Sequence, residues 1–231
     1  ILVHTLRDAN RLESWGLRDN VTLMPLAIYP VDLPAREQLA KLRDELRLGG
    51  KRILSSYGFL MPHKGIVELV EAMPLILAAQ PAAHLLLVTA SYSDAISAPL
   101  IEEISSAIER LNIAEHVTLI TDYLSDADSM ALLKLAEVVV FPYQQSEESS
   151  SAAVRMAIGG RCPVAITPLA IFDDVAPGCA RLPGVTPPEM ASGLIEILEA
   201  SAEPHWQAEQ SKRIDAFAAE MDAGELSARM V

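Results

Sequence analysis

Short apolar blocks recur along the chain, separated by longer stretches in which apolar positions return every three or four residues. The blocks at residues 21–25, 52–57, 84–89, 117–120, 138–141, 164–167 and 180–182 predict strands. Several are continuous Leu-rich or β-branched runs with no polar alternation, the pattern of a strand covered on both faces. Between them lie helix-length segments. Residues 64–79 place Ile66, Leu69, Val70, Met73, Ile76 and Leu77 on a single helical stripe. Ser125 with Asp128 opens another helix in the manner of a capping box, followed by Met130, Leu132, Leu133 and Leu135. Strand–helix alternation over this length predicts an α/β fold: a doubly wound, Rossmann-like parallel sheet with at least five strands. Such sheets bind ligands at the carboxyl ends of their strands, where loops meet helix N-termini.

The flanks read differently. Residues 20–34 contain Pro25, Pro30 and Pro34 and predict a linker. Residues 1–34 are therefore expected to be the end of a preceding domain with its linker, residues 35–200 the main domain, and residues 201–231 a polar helical tail. That tail is anchored by Trp206, Ile214 and Phe217 and must dock on something. The chain opens Ile1-Leu-Val-His-Thr-Leu-Arg-Asp8, without an initiator Met or a basic leader, and reads as a fragment whose N-terminus lies upstream.

Composition narrows the function. No apolar run reaches the roughly 18 residues that span a membrane. The net charge of −13 disfavours nucleic acid and anionic membranes as partners. It leaves room for a small anion held by a local cluster of cations and backbone N–H groups. Cys162 and Cys179 are too few for a disulfide framework and are expected in the core. A reducing cytoplasm is the expected location, with peripheral attachment to a membrane as the alternative.

Two loops carry candidate chemistry. The first, Gly58-Phe-Leu-Met-Pro-His-Lys-Gly65, follows a strand and enters a helix. Its glycines let backbone approach a ligand, and Lys64 at the helix start suits a phosphate. It is not a Walker loop, because the Gly-Lys-Ser/Thr order is absent. The second, Phe141-Pro-Tyr-Gln-Gln-Ser-Glu-Glu-Ser-Ser-Ser-Ala-Ala-Val-Arg155, delivers two carboxylates and then three serines to a helix N-terminus. Ser149, Ser150 and Ser151 are expected to cap that helix and leave donors for an anion. Glu147 and Glu148 suit sugar hydroxyls, and Arg155 is a potential fork-shaped phosphate ligand. The bland alternatives are a solvated Lys64 and a well-capped helix with ordinary surface charges. The Gly159-Gly160 stop before residues 164–167 reads as turn chemistry alone. The five histidines show no metal-ligand spacing.

In this order, each after a buried strand, the two loops resemble the C-terminal domain of GT-B glycosyltransferases, and among these the group-one family (family 4). That family's first loop reads Gly-Arg-x-x-x-x-Lys-Gly, against Gly58-Phe59 and Lys64-Gly65 here. Its second reads Pro-Ser-x-x-Glu-Gly-Phe-Gly, then a second Glu, then Gly-x-Pro-Val. Here Pro142, Glu148, the serines and Cys162-Pro163-Val164 occupy that frame. Residues 115–125 are similar to the stretch beside the nucleotide base, and residues 21–25 to the last strand of the N-terminal domain.

The resemblance implies transfer of a sugar from a nucleoside-diphosphate donor to an acceptor hydroxyl, this chain supplying the donor-binding half. The acceptor would be a glycan, a lipid-linked glycan or a small molecule. It implies a retaining reaction without cofactor or metal, an absent acceptor-binding N-terminal domain, and a fragment inactive alone. Lys64 and Arg155 would face the diphosphate, stabilising the charge that grows on the leaving group. Glu148, or alternatively Glu147, would accept from donor-sugar hydroxyls. Thr89 and Tyr123 would line the nucleotide pocket, with Gly58 and Gly65 at the phosphates.

Two departures stand out. The first-loop Arg is Phe59. The second Glu of the Glu-x7-Glu pattern is Arg155 counted from Glu147, or Met156 counted from Glu148. Arg155 is therefore expected to restore the missing phosphate charge from across the cleft, converging there with Lys64 and Glu148. A non-catalytic nucleotide-sugar or partner-binding module is the second reading. A GT-B-type nucleotide-sugar epimerase is the third, although the sequence offers no convincing acid/base pair for it.

Overall fold

The computed structural model describes residues 1–228. Its centre is a six-stranded sheet formed by β3 (Arg52–Leu60), β4 (Ala83–Ser91), β5 (Val117–Ile120), β6 (Val138–Phe141), β7 (Val164–Ile166) and β8 (Ala180–Arg181). The order is β5-β4-β3-β6-β7-β8 and every pairing is parallel. This is the doubly wound architecture that the apolar blocks predict. Two strands run past their expected ends. β3 continues to Leu60 and β4 to Ser91 because their register pairs Phe59 with Ala90 and Leu60 with Ser91.

Alternate residues of each strand feed opposite cores. Leu54, Leu85, Leu87, Val138 and Val140 pack against α3 (Ile66–Ala79), α4 (Asp94–Arg110) and α7 (Pro187–Ser201) through residues such as Leu69, Met73, Ile104 and Leu194. On the other face, Ile53, Leu86 and Val88 meet α2 (Arg36–Glu45) and α5 (Asp126–Leu133) through Leu39, Leu42 and Leu132. Val139, Phe141, Val164 and Ile166 meet α6 (Ala152–Gly159) and α8 (Pro204–Glu220) through Val154, Ile158, Ile214 and Phe217. Local signals start several helices. The Ser125 hydroxyl accepts from the Asp128 N–H at the start of α5. Thr186 and Glu189 form a capping box on α7, with Pro187 at its first position.

The tail docks where its apolar residues lead. Phe217 packs on the short turn Ala176–Gly178, and Ile214 and Phe217 are buried while Trp206 is only half-buried. Past α8, the chain meets the linker: Ile28 N–H donates to the Met221 carbonyl at 2.8 Å. The N-terminal residues form a small parallel unit, β1 (Leu2–Val3) and β2 (Thr22–Leu23) joined by α1 (Leu6–Ser14). Its apolar side chains Ile1, Leu2, Leu6, Trp15 and Leu23 are exposed. No helix among the described residues is long and apolar enough to cross a membrane.

Candidate functional site

The strand order reverses between β3 and β6, so the loops leaving these two neighbours diverge to opposite faces and open a crevice at the carboxyl edge. A cleft of about 550 Å3 occupies that position. Both loops singled out in the sequence border it.

The first loop leaves β3 as a single 3-10 turn, Pro62–Lys64, and enters α3 through Gly65. Gly65 has φ +70°, a left-handed conformation, and a Cβ there would lie 1.9 Å from the Pro142 carbonyl oxygen. Only glycine lets the first loop lie this close to the second. Gln144 N–H adds a 2.9 Å bond to the His63 carbonyl, so the two loops are pinned together. Gly58, at φ +128°, faces Ala153 across the cleft floor.

Lys64 is mostly covered, with its Nζ 4.0 Å from the centre of the Tyr143 ring and 3.4 Å from Glu148 Oε2. His63 Nε2 lies 3.8 Å from the other oxygen of Glu148. Burial pushes the His63 imidazole below its ordinary value; the Lys64 charge adds to this, and Glu148 opposes it. Tyr143 is buried under the pair, its hydroxyl 3.1 Å from Ser151 Oγ. Glu148 is half-exposed, facing open cleft beyond Lys64.

The opposite wall comes from the ends of the outer strands. Val88 and Ala90 lie at the end of β4 and Tyr92 just past it, Asp122, Tyr123 and Leu124 follow β5, and Asp126 and Ser129 lie on α5. Phe59 completes this wall from β3. Ser150, Ser151, Ala152, Ala153 and Met156 close the cleft from the N-terminal turns of α6.

Of the residues expected at the site, Gly58, Lys64, Tyr123, Glu148, Ser150 and Ser151 line the cleft. Five expected residues do not. Gly65 is buried between the loops. Thr89 is turned inward by strand alternation, is buried, and finds no partner for its hydroxyl among the described residues. Glu147 is exposed, its carbonyl accepting from Arg7 at 3.5 Å. The Ser149 hydroxyl is engaged by Asp8 of α1, a bond that holds the Asp8 carboxyl below its ordinary range. Ser151 stands at the N-cap of α6 but its side chain does not cap it; the hydroxyl is turned to Tyr143 instead.

Arg155 overturns the expected convergence. It is buried, and each of its three guanidinium nitrogens donates within the protein. Nε donates to the Leu26 carbonyl at 2.8 Å, Nη1 to the Ser151 carbonyl at 2.9 Å, and Nη2 pairs with Asp174. It sits one residue too early on α6 to face the cleft; Met156 has that place. The Glu-x7-Glu spacing therefore runs from Glu148 to an apolar residue. Tyr92, Asp126 and Tyr143 were missed in the sequence. Tyr143 alone carried a local signal, standing next to the strand end in the same loop as Glu148.

The model of the family described as glycosyl transferases group 1 matches residues 39–167, more than half of the chain. Among solved structures, the Alr3699/HepE protein of Anabaena in complex with UDP superposes with a TM-score of 0.81 at 15% identity, over 99% of this chain and 61% of that one. A glycosyltransferase of Rickettsia africae gives 0.83 at 12% identity over 99% and 61%. The sucrose-phosphate synthase of Thermosynechococcus elongatus gives 0.73 at 20% identity over 99% and 56%. At these identities the likeness is one of fold, and the chain spans about 61% of the length of the first two structures. No curated protein matches it.

Proposed function

Because the chain belongs to the group 1 glycosyl transferases, we propose that it is the donor-binding, C-terminal half of a family 4 GT-B enzyme that moves a sugar from a nucleoside diphosphate to an acceptor hydroxyl. The observation that carries this reading is the meeting of Lys64 and Glu148, 3.4 Å apart, in the crevice where the strand order reverses. A cation and an acceptor carboxylate side by side match the two ends of the bond to be broken, a diphosphate and a sugar rich in hydroxyls. The N-terminal N–H groups of α6, which the Ser151 side chain leaves uncapped, open onto the same cleft and suit an anion.

In this mechanism Lys64 exchanges its contact with Glu148 for the diphosphate as donor binds. Glu148, released, accepts from the donor-sugar hydroxyls. As the glycosidic bond breaks, negative charge grows on the departing phosphate, and Lys64 with the α6 N–H groups stabilises it more than it stabilises the bound donor. No metal is invoked in this scheme, and retention of configuration is part of the proposal. Binding of UDP in the Anabaena structure, seated on the same fold, supports a nucleoside-diphosphate ligand. Catalysis is proposed for the protein that joins this chain to an acceptor-binding half. The exposed apolar residues of the β1-α1-β2 unit suit continuation of such a half.

Calorimetric titration of the chain with UDP and GDP, in chelator, tests the reading. Binding of at least one of them below millimolar concentration is expected. Absence of any nucleoside-diphosphate binding, in this chain and in the longer protein alike, would refute it.

A further inference from the structure

Three large aromatic side chains stand exposed at the mouth of the cleft: Phe59 at 43%, Tyr92 at 55% and Tyr123 at 79%. They come from the ends of three adjacent strands and meet one another. The Phe59 ring lies 5.6 Å from Tyr92, edge to face, and 6.1 Å from Tyr123, within 22° of parallel. A contiguous exposed aromatic patch that lines a cleft marks a binding surface. Met156 adds a further apolar side chain to the lining. The two positions at which this sequence departs from the charged motif, Phe59 and Met156, thus face the same cleft. Among the described residues, the one cation in the lining, Lys64, is already engaged by Glu148, so a phosphate must displace a carboxylate to reach it.

We propose that the cleft grips its ligand mainly by stacking, with Phe59 and Tyr123 taking the nucleobase, and that the diphosphate adds comparatively little. The proposal rests on the reading of the cleft as a nucleoside-diphosphate site and makes Phe59 and Tyr123 the residues that set its affinity. Phe59 and Tyr123 present π-faces, which every base matches, so stacking gives strength without requiring particular hydrogen bonds. A site held this way is insensitive to salt, because stacking is not screened as charge pairing is.

Titration of the full chain with uridine, UDP, guanosine and GDP, on wild type, Phe59→Ala, Phe59→Arg and Tyr123→Ala, tests it. Both aromatic side chains are exposed, and a thermal melt confirms that each variant folds. Expected for wild type is a nucleoside Kd within about tenfold of the matching diphosphate, nearly unchanged between low and high salt. Phe59→Ala should weaken nucleoside and diphosphate alike by about tenfold, the lower range of one stacked base; Tyr123→Ala should do the same. Phe59→Arg should weaken the nucleoside while making diphosphate binding salt-dependent. If a diphosphate binds but its nucleoside does not, or if Phe59→Ala binds UDP and GDP as the wild type does, the stacking proposal is wrong and the donor reading survives. If no compound binds this chain, the stacking proposal falls, and the donor reading falls with it when the longer protein binds none either.

Discussion

Two cation–carboxylate pairs flank the serine-rich loop, and they could hardly differ more. At its start, Lys64 and Glu148 meet at 3.4 Å with half of the Glu148 side chain open to solvent. At its end, Arg155 is buried and Asp174 mostly covered, and the guanidinium also holds the Leu26 and Ser151 carbonyls. Sequence alone gave both cations the same task. Burial and the number of hydrogen bonds already made separate them. A pair with a free side can trade its carboxylate for an incoming anion. A buried pair whose guanidinium nitrogens are all engaged within the protein fixes geometry, here joining the linker, the N-cap of α6 and the segment after β7. Charge near a cleft therefore says little about ligand binding until its existing partners are counted.

The sharpest way to break this contrast is Arg155→Ala. It leaves the mostly covered Asp174 carboxylate without its cation, and unfolding free energy should drop by about 3 kcal/mol. Urea unfolding followed by circular dichroism measures it. A loss below 1 kcal/mol would mean that the joint is not structural. Arg155→Met with Asp174→Leu should recover most of the loss. Next in size, Lys64→Ala should leave the urea midpoint nearly unchanged while weakening UDP binding about tenfold, the effect of one charge-assisted contact. Equal losses of stability in the two variants would erase the distinction. Glu148→Gln removes the competitor for Lys64, so UDP itself should bind roughly threefold tighter, a gain of about 0.6 kcal/mol, whereas a UDP-sugar should lose that advantage. A weaker grip on UDP would show that Glu148 touches the nucleotide.

The smallest expected effect is on pH dependence. His63 is held below its ordinary value of 6.5, chiefly by burial. Its neutral form therefore contributes stability that is complete above pH 6.5 and lost as pH falls through the lowered value. Bound diphosphate reverses the balance by favouring the imidazolium. UDP binding should then tighten by about threefold between pH 8 and pH 6 beyond the change seen in His63→Asn. Parallel pH profiles for the two proteins would remove His63 from the account.

Much of the fold was legible because its strands are buried on both sides. Residues 138–141 and 117–120 were bounded correctly from their apolar runs alone. Strand ends were less legible: β3 reaches Leu60 through Gly58, a residue that reads as a break. The missed helix α1 has no buried residue, so no apolar stripe announced it. In the site, Lys64 and Glu148 were readable because each sits in a loop following a strong strand signal. Arg155 was misjudged because Asp174 lies 19 residues downstream with no local pattern linking them. The aromatic mouth was hidden for a related reason. Phe59, Tyr92 and Tyr123 are remote in sequence and meet only because three parallel strands end side by side.

The contact between Gly65 and Pro142 has a further consequence for how the two loops move and diverge. With no room for a single carbon atom between them, and with His63 and Gln144 bonded across the same seam, the loops behave as a dovetail joint. Sliding one past the other would first require opening the seam. The backbone that carries Lys64 is therefore held at the seam itself, and it has little configurational entropy left to lose when a ligand settles beside it. The same joint restricts drift: any side chain at position 65 wedges the seam apart and drives Lys64 from Glu148, so changes in either loop must accommodate the other.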